Sequence, residues 1–153
     1  MKSVVFCSSQ RFAKDLKEFV DALKKVAKDN NQHLVILEPN FGELEEKFSK
    51  SAHEKDRLTD FAYREAVAGK VYDHLFRKVR VGDVCFIFNK DGYLGVNTTG
   101  ELFAAAMSGK ICYALDSRMM MGHYPDDLYE EPSGQKLIHE VVSTPEELFK
   151  RLL

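Results

Sequence analysis

Short apolar runs rich in Val, Ile and Phe alternate along the chain with longer stretches of helical periodicity, and this alternation restricts the fold more than any other feature. The runs fall at Ser3 to Cys7, His33 to Leu37, Val84 to Phe88, Ile111 to Leu115 and Leu137 to Val142. Each has the length of a buried strand and is too short for a buried helix. Between the first two, Phe12, Leu16, Phe19, Val20, Leu23, Val26 and Ala27 form a helical stripe closed by Asp29-Asn30-Asn31. Parallel strands need long crossovers, and helical crossovers cover both faces of the sheet.

The pattern therefore predicts a doubly wound α/β fold of the flavodoxin-like or Rossmann-like kind. Its sheet has five parallel strands in the order 2-1-3-4-5, because right-handed crossovers with one reversal after the first strand pair produce that order. Leu58, Phe61, Ala62, Tyr72, Leu75, Phe76 and Val79 predict a helix with one apolar face before the third strand. A further helix is expected from Thr98 to Ser108 with Gly109 as its stop. The last helix starts at Ser143-Thr144-Pro145-Glu146-Glu147, which supplies a capping hydroxyl, Pro near the first turn and acids facing the helix dipole. The charged stretch from Glu43 to Asp60 reads either as a weakly amphipathic helix through Leu44, Phe48 and Ala52 or as a mobile lid. No internal repeat or low-complexity tract divides the chain, so residues 1–153 are expected to form one domain.

Twenty-two Lys and Arg stand against 24 Asp and Glu, which argues against a general nucleic-acid binder. No stretch approaches the roughly 20 apolar residues that span a bilayer, and Val4 to Cys7 is too short for a signal peptide. Cys7, Cys85 and Cys112 lie far apart inside apolar runs without a CxxC pair, the pattern of buried free thiols in a reducing, cytoplasmic compartment. The histidines at 33, 53, 74, 123 and 139 lack metal-ligand spacing, so no metal is expected. P-loop, GxGxxG and GxSxG patterns are absent. A flavin is not expected either, because the first loop lacks a hydroxyl-rich phosphate cradle and the chain has no Trp to stack.

In such sheets, ligands bind beyond the carboxyl ends of the strands where the strand order reverses. The loop after the first strand, Ser8-Ser9-Gln10-Arg11-Phe12, offers hydroxyls, a helix start and a guanidinium for a phosphate or carboxylate. Plain helix capping by Ser8 or Ser9 with a solvated Arg11 is the competing account. After the third strand comes Asn89-Lys90-Asp91-Gly92-Tyr93-Leu94-Gly95-Val96-Asn97-Thr98-Thr99-Gly100-Glu101. Its glycines allow close backbone approach, Tyr93 offers a ring to stack on, and Glu101 is expected in the first turn of the next helix as a nucleophile or ribose acceptor. Thr98-Thr99-Gly100-Glu101 also reads as a capping box, in which Glu101 is structural. One site around Arg11, Tyr93 and Glu101 is the expectation. Asp83 is expected to tie down a turn at the opposite edge of the sheet.

Residues 83–110, with Asp83-Val84 to Asn89, Asp91-Gly92-Tyr93-Leu94-Gly95, Thr98-Thr99, Glu101-Leu102 and Gly109-Lys110, resemble the nucleoside 2-deoxyribosyltransferase-like superfamily. Val4 to Phe12 also looks like that family's first strand and Arg-containing loop. The resemblance implies N-glycosidic bond cleavage with transfer of the sugar to another base or to water. Glu101 takes the place of the nucleophile, and the acidic position on the preceding helix falls at Asp73, or at His74 one residue on. It further implies a nucleoside or nucleotide held by Ser8, Ser9, Arg11, Phe12, Asp91, Gly92, Tyr93, Gly95 and Thr98, without a cofactor. A homo-oligomer is implied as well, to which Ala104 to Ala106 and Met119 to Met121 would contribute. A non-catalytic nucleotide-binding or sensing module on the same fold is the alternative function.

Overall fold

A computed structural model describes residues 1–41 and 57–153. Five strands form a parallel sheet: β1 (Val4–Cys7), β2 (Ile36–Leu37), β3 (Val84–Ile87), β4 (Ile111–Ala114) and, last in the chain, β7 (Glu140–Val141). The spatial order is β2-β1-β3-β4-β7, all pairs parallel, which is the expected order once a separate hairpin is set aside. That hairpin, β5 (Met120–His123) with β6 (Asp127–Glu130), was not anticipated. Its strands carry Gly122, His123 and Asp127, and their exposure breaks the apolar pattern that marks core strands.

Successive residues of β1 and β3 point to opposite faces, so a sheet buried on both sides reads as continuous apolar sequence. Val4, Phe6, Val84 and Phe86 pack under α1 (Ala13–Asp29) and the C-terminal helix Pro145–Leu152. Val5, Cys7, Cys85, Ile87, Cys112 and Ala114 face the other way, against α3 (Val96–Met107). Between β2 and β3 runs α2 (Phe61–His74), capped by Asp60, whose carboxylate accepts from the Tyr63 amide at 3.0 Å. The helix or lid expected over residues 43–60 otherwise lies outside the described residues.

α2 departs from the expected face. Of the expected face Phe61, Tyr72 and Phe76 are exposed and Val79 is buried as expected, while Tyr63 and His74, which were not placed on it, are buried. The helix passes at Leu75–Val79 into a π turn, in which the Arg80 amide donates to the Leu75 carbonyl at 3.0 Å. The extra residue per turn ends the 3.6-residue periodicity from Leu75 onward, whereas the exposure of Phe61 and Tyr72, which precede it, reflects which side of α2 meets the sheet.

α3 begins two residues earlier than expected, with Gly95 as its N-cap. Thr98 is thus the third helical residue and Glu101 the sixth, so the anticipated capping box and first-turn placement of Glu101 are both incorrect. The local pattern was ambiguous because Thr98 and Thr99 are ordinary capping types; Thr99 Oγ1 instead donates back to the Gly95 carbonyl at 2.8 Å. Gly109, with φ +73°, does end the helix in the left-handed conformation a C-terminal stop requires. The last helix is capped as expected, the Glu147 amide donating to Thr144 Oγ1 at 3.2 Å. Asp83 likewise holds the strand start, accepting from Ser3 N and Oγ at 2.7 and 2.8 Å, and these bonds keep its carboxyl below the usual range. Met119 and Ala105 are core residues, 1% and 0% exposed, so neither is free for the oligomer contact expected of it.

Candidate functional site

The strand order reverses between β1 and β3, and two groups of polar and aromatic residues gather at the carboxyl ends there. The structure separates what the sequence suggested as one site: Phe12 and Tyr93 belong to the α1 side of the sheet, while Glu101 joins Cys7 on the α3 side.

On the first side, Ser9 caps a short 3-10 turn through the Arg11 amide at 3.4 Å, and Ser8 Oγ donates to the Ser9 carbonyl at 3.0 Å. Capping is therefore what these hydroxyls do here. Arg11 lies over the rings of both Tyr93 and Tyr124, 4.8 Å from each centroid. Phe12 meets the two tyrosines edge-on at 6.1 and 5.5 Å. Tyr124, which sequence reasoning missed, donates its hydroxyl to Asp91 at 2.8 Å, and the carboxylate beside it raises the phenol pKa. It comes from the unanticipated hairpin region, so no local signal marked it. The faces of the guanidinium are covered by rings, yet among the described residues Arg11 enters no ion pair, which leaves its N–H edges for an anion.

Gly92 and Asp91 both adopt positive φ, and a Cβ at Gly92 would come 2.8 Å from Arg118 Cβ. Gly92 thus serves a tight turn against Arg118. A Cβ at Gly95 would meet only ordinary contacts with the Tyr93 ring. The turn is held by Asn89, fully buried and also missed. Its Oδ1 accepts from the Leu115 and Asp116 amides at 3.1 and 3.0 Å, and its Nδ2 donates to the Asp116 and Arg118 carbonyls at 3.0 and 2.7 Å. One amide side chain therefore joins the ends of β3 and β4.

On the second side, Thr98, Glu101, Leu102 and Ala105 form the buried face of α3. Glu101 is 7% exposed and meets Cys7, the last residue of β1, and His74, the last residue of α2. His74 Nε2 stands 3.6 Å from Cys7 Sγ and 4.0 Å from the Glu101 carboxylate. The three donor atoms lie within 4.8 Å of one another. Burial pushes the Glu101 pKa up to about 7, with the Cys7 thiol opposing by donating to the carboxylate. Burial also brings His74 down to about 4 and raises Cys7 to about 11. At neutral pH the imidazole and thiol are uncharged, and Glu101 is divided between its two forms.

The structure selects His74 rather than Asp73 as the neighbour of Glu101. Asp73, one residue away and therefore about 100° around the helix, pairs with Arg77 at 3.4 Å instead. The sequence offered both Asp73 and His74 for this position and could not choose, because the partners of His74 lie at positions 7 and 101, a separation no spacing rule detects. A 230 Å³ cleft lies farther along the strand ends, between Asp116 and His139, and does not include Glu101.

Sheet order and all-parallel pairing define a doubly wound α/β architecture of the flavodoxin-like class. No family model and no curated protein matches the chain. Its fold is similar to that of a conserved protein from Enterococcus faecalis, at TM-score 0.53 and 15% identity, with 99% of this chain and 97% of that one covered. The chain is also similar to a 2-deoxyribosyltransferase from Bacillus psychrosaccharolyticus, at TM-score 0.49 and 16% identity, covering 96% and 90%. The sheet order is the one the strand and helix pattern of the sequence predicted. No helix among the described residues is long and apolar enough to cross a membrane.

Proposed function

We propose that the protein cleaves or transfers across the N-glycosidic bond of a nucleoside or nucleotide, with Glu101 as nucleophile. The observation that carries this reading is the one buried carboxyl among the described residues, placed at the strand-order reversal and lifted to about pKa 7. A carboxylate so placed is poorly solvated when ionised, and attack on an anomeric carbon relieves that charge. Its position also matches the nucleophile in the motif over residues 83–110.

Arg11 supplies N–H edges for a 5′-phosphate, and Tyr93 and Tyr124 keep the guanidinium rigid. Ser8, Ser9, Phe12, Asp91, Gly92, Gly95 and Thr98 complete the loops around the substrate in this reading. The resemblance offers Asp73 as the second acid that protonates the departing base, a role that requires α2 to turn this side chain from Arg77 toward Glu101. Oligomer formation belongs to the same reading. The outer side of α3 displays Val96 at 78% exposure and Met107 at 88%, with Phe103 between them.

Incubation with a panel of deoxynucleosides and deoxynucleotides, followed by chromatography for free base, tests the proposal. Release of base by the wild type and its loss in Glu101→Gln are expected. Binding without release would instead support the nucleotide-sensing module, with Glu101 as a ribose ligand.

A further inference from the structure

We propose that Cys7, His74 and Glu101 form a site for one thiophilic divalent cation of the Zn²⁺ class. Sulfur, imidazole nitrogen and carboxylate oxygen arrive from the end of β1, the end of α2 and the middle of α3. With Zn–S about 2.3 Å, Zn–N about 2.0 Å and Zn–O about 2.1 Å, tetrahedral geometry sets donor-to-donor separations of roughly 3.4 to 3.6 Å. The 3.6 Å between Cys7 Sγ and His74 Nε2 already meets that requirement. The 4.0 Å from His74 Nε2 to Glu101 needs to close by about half an ångström, within reach of a small carboxylate rotation.

Charge and donor type point the same way. A dication held by one thiolate, one carboxylate and a neutral imidazole is a net-neutral unit, the form in which charge is tolerated in a protein interior. Soft sulfur with imidazole selects zinc-like ions over magnesium or calcium, which take oxygen donors. The His74 ring is 4% exposed, and its Nδ1 has no hydrogen-bond partner among the described residues. It is the other ring nitrogen, Nε2, that faces the Cys7 and Glu101 donor atoms.

Binding releases the Cys7 thiol proton and, from the protonated fraction, the Glu101 proton, while the sulfur and oxygen lone pairs form the new bonds. Three protein donors leave a fourth position for water. If Glu101 is the nucleophile, a point that rests on the function proposed above, the bound cation occupies its lone pair. The metal is then an inhibitor of that reaction and not its cofactor.

The test uses the chain of residues 1–153, stripped with chelator and titrated with Co²⁺. A thiolate-to-cobalt charge-transfer band that saturates at one equivalent and is displaced by Zn²⁺ is expected. Cys7→Ser and His74→Gln should each weaken cobalt binding by more than roughly 100-fold, whereas Cys112→Ser should retain the band. Circular dichroism establishes which variants fold, and Cys7→Ala replaces Cys7→Ser if the latter does not. No band in folded wild type, or a band that survives both Cys7 and His74 substitutions, overturns the site. Base release by the stripped protein is measured separately. A band without base release supports the metal site and counts against the nucleophile, while base release without a band overturns the metal site alone.

Discussion

Replacing Glu101 by Gln exchanges a carboxyl that titrates near 4.5 in the unfolded chain and at about 7 in the fold for a side chain that does not titrate. The folded protein holds this proton more tightly than the unfolded one. Its stabilising contribution is therefore complete below about pH 4.5, declines as pH rises, and is gone above about pH 7. Each tenfold change in proton affinity is worth about 1.4 kcal/mol, so the whole decline amounts to about 3 kcal/mol. Glutamine resembles the protonated acid in shape and charge. The stability of Glu101→Gln relative to wild type should thus climb by about 3 kcal/mol between pH 4.5 and pH 8. His74 works in the opposite sense: burial depresses it from 6.5 to about 4, so stability is lost as pH falls through that range. Both proteins retain His74, and its contribution cancels in the difference. Urea unfolding at a series of pH values, extrapolated linearly to water, measures the quantity directly. A difference that stays constant across pH would refute the argument; an ordinary structural loss of about 0.5 to 2 kcal/mol would give that flat result.

The same carboxyl sets the rate profile. If Glu101 attacks as its anion, kcat/KM for base release should rise with pH to a plateau, with an apparent pKa near 7; a profile that is level from pH 5 to 9 contradicts it. Asn89→Ala removes an amide that serves four backbone groups at the ends of β3 and β4, and should cost about 3 kcal/mol in chemical denaturation. Arg11→Ala should weaken binding of a nucleoside 5′-phosphate at least about tenfold more than that of the parent nucleoside by calorimetry; equal losses would leave Arg11 as a purely structural stack. Met107→Glu places a charge on the exposed stripe of α3 and should shift light-scattering mass toward the monomer, a shift not expected if this face is bare in solution.

Much of the architecture lies in local sequence. Val4 to Cys7 and Val84 to Phe88 are apolar at every position because both faces of a parallel strand are covered, and helical stripes between such runs leave few topologies open. Caps were legible at Thr144 and Gly109, where one residue and its neighbour decide the geometry. Where α3 starts was not, since Gly95, Thr98 and Thr99 are all acceptable near a helix end and only packing chooses among them. Whether Asp73 or His74 stands beside Glu101 was equally undecided, since the sequence offered both. One residue of rotation decides which of two adjacent polar side chains enters the core, and that rotation is fixed by the docking of α2 and its π turn against β1. Tyr124 over Arg11, and Cys7 against Glu101, are contacts between residues about a hundred positions apart. Sequence alone determined that a sheet would bring its strand ends together at an order reversal; only the tertiary structure determined which side chains meet there, because that depends on helix rotation and sheet face rather than on spacing along the chain.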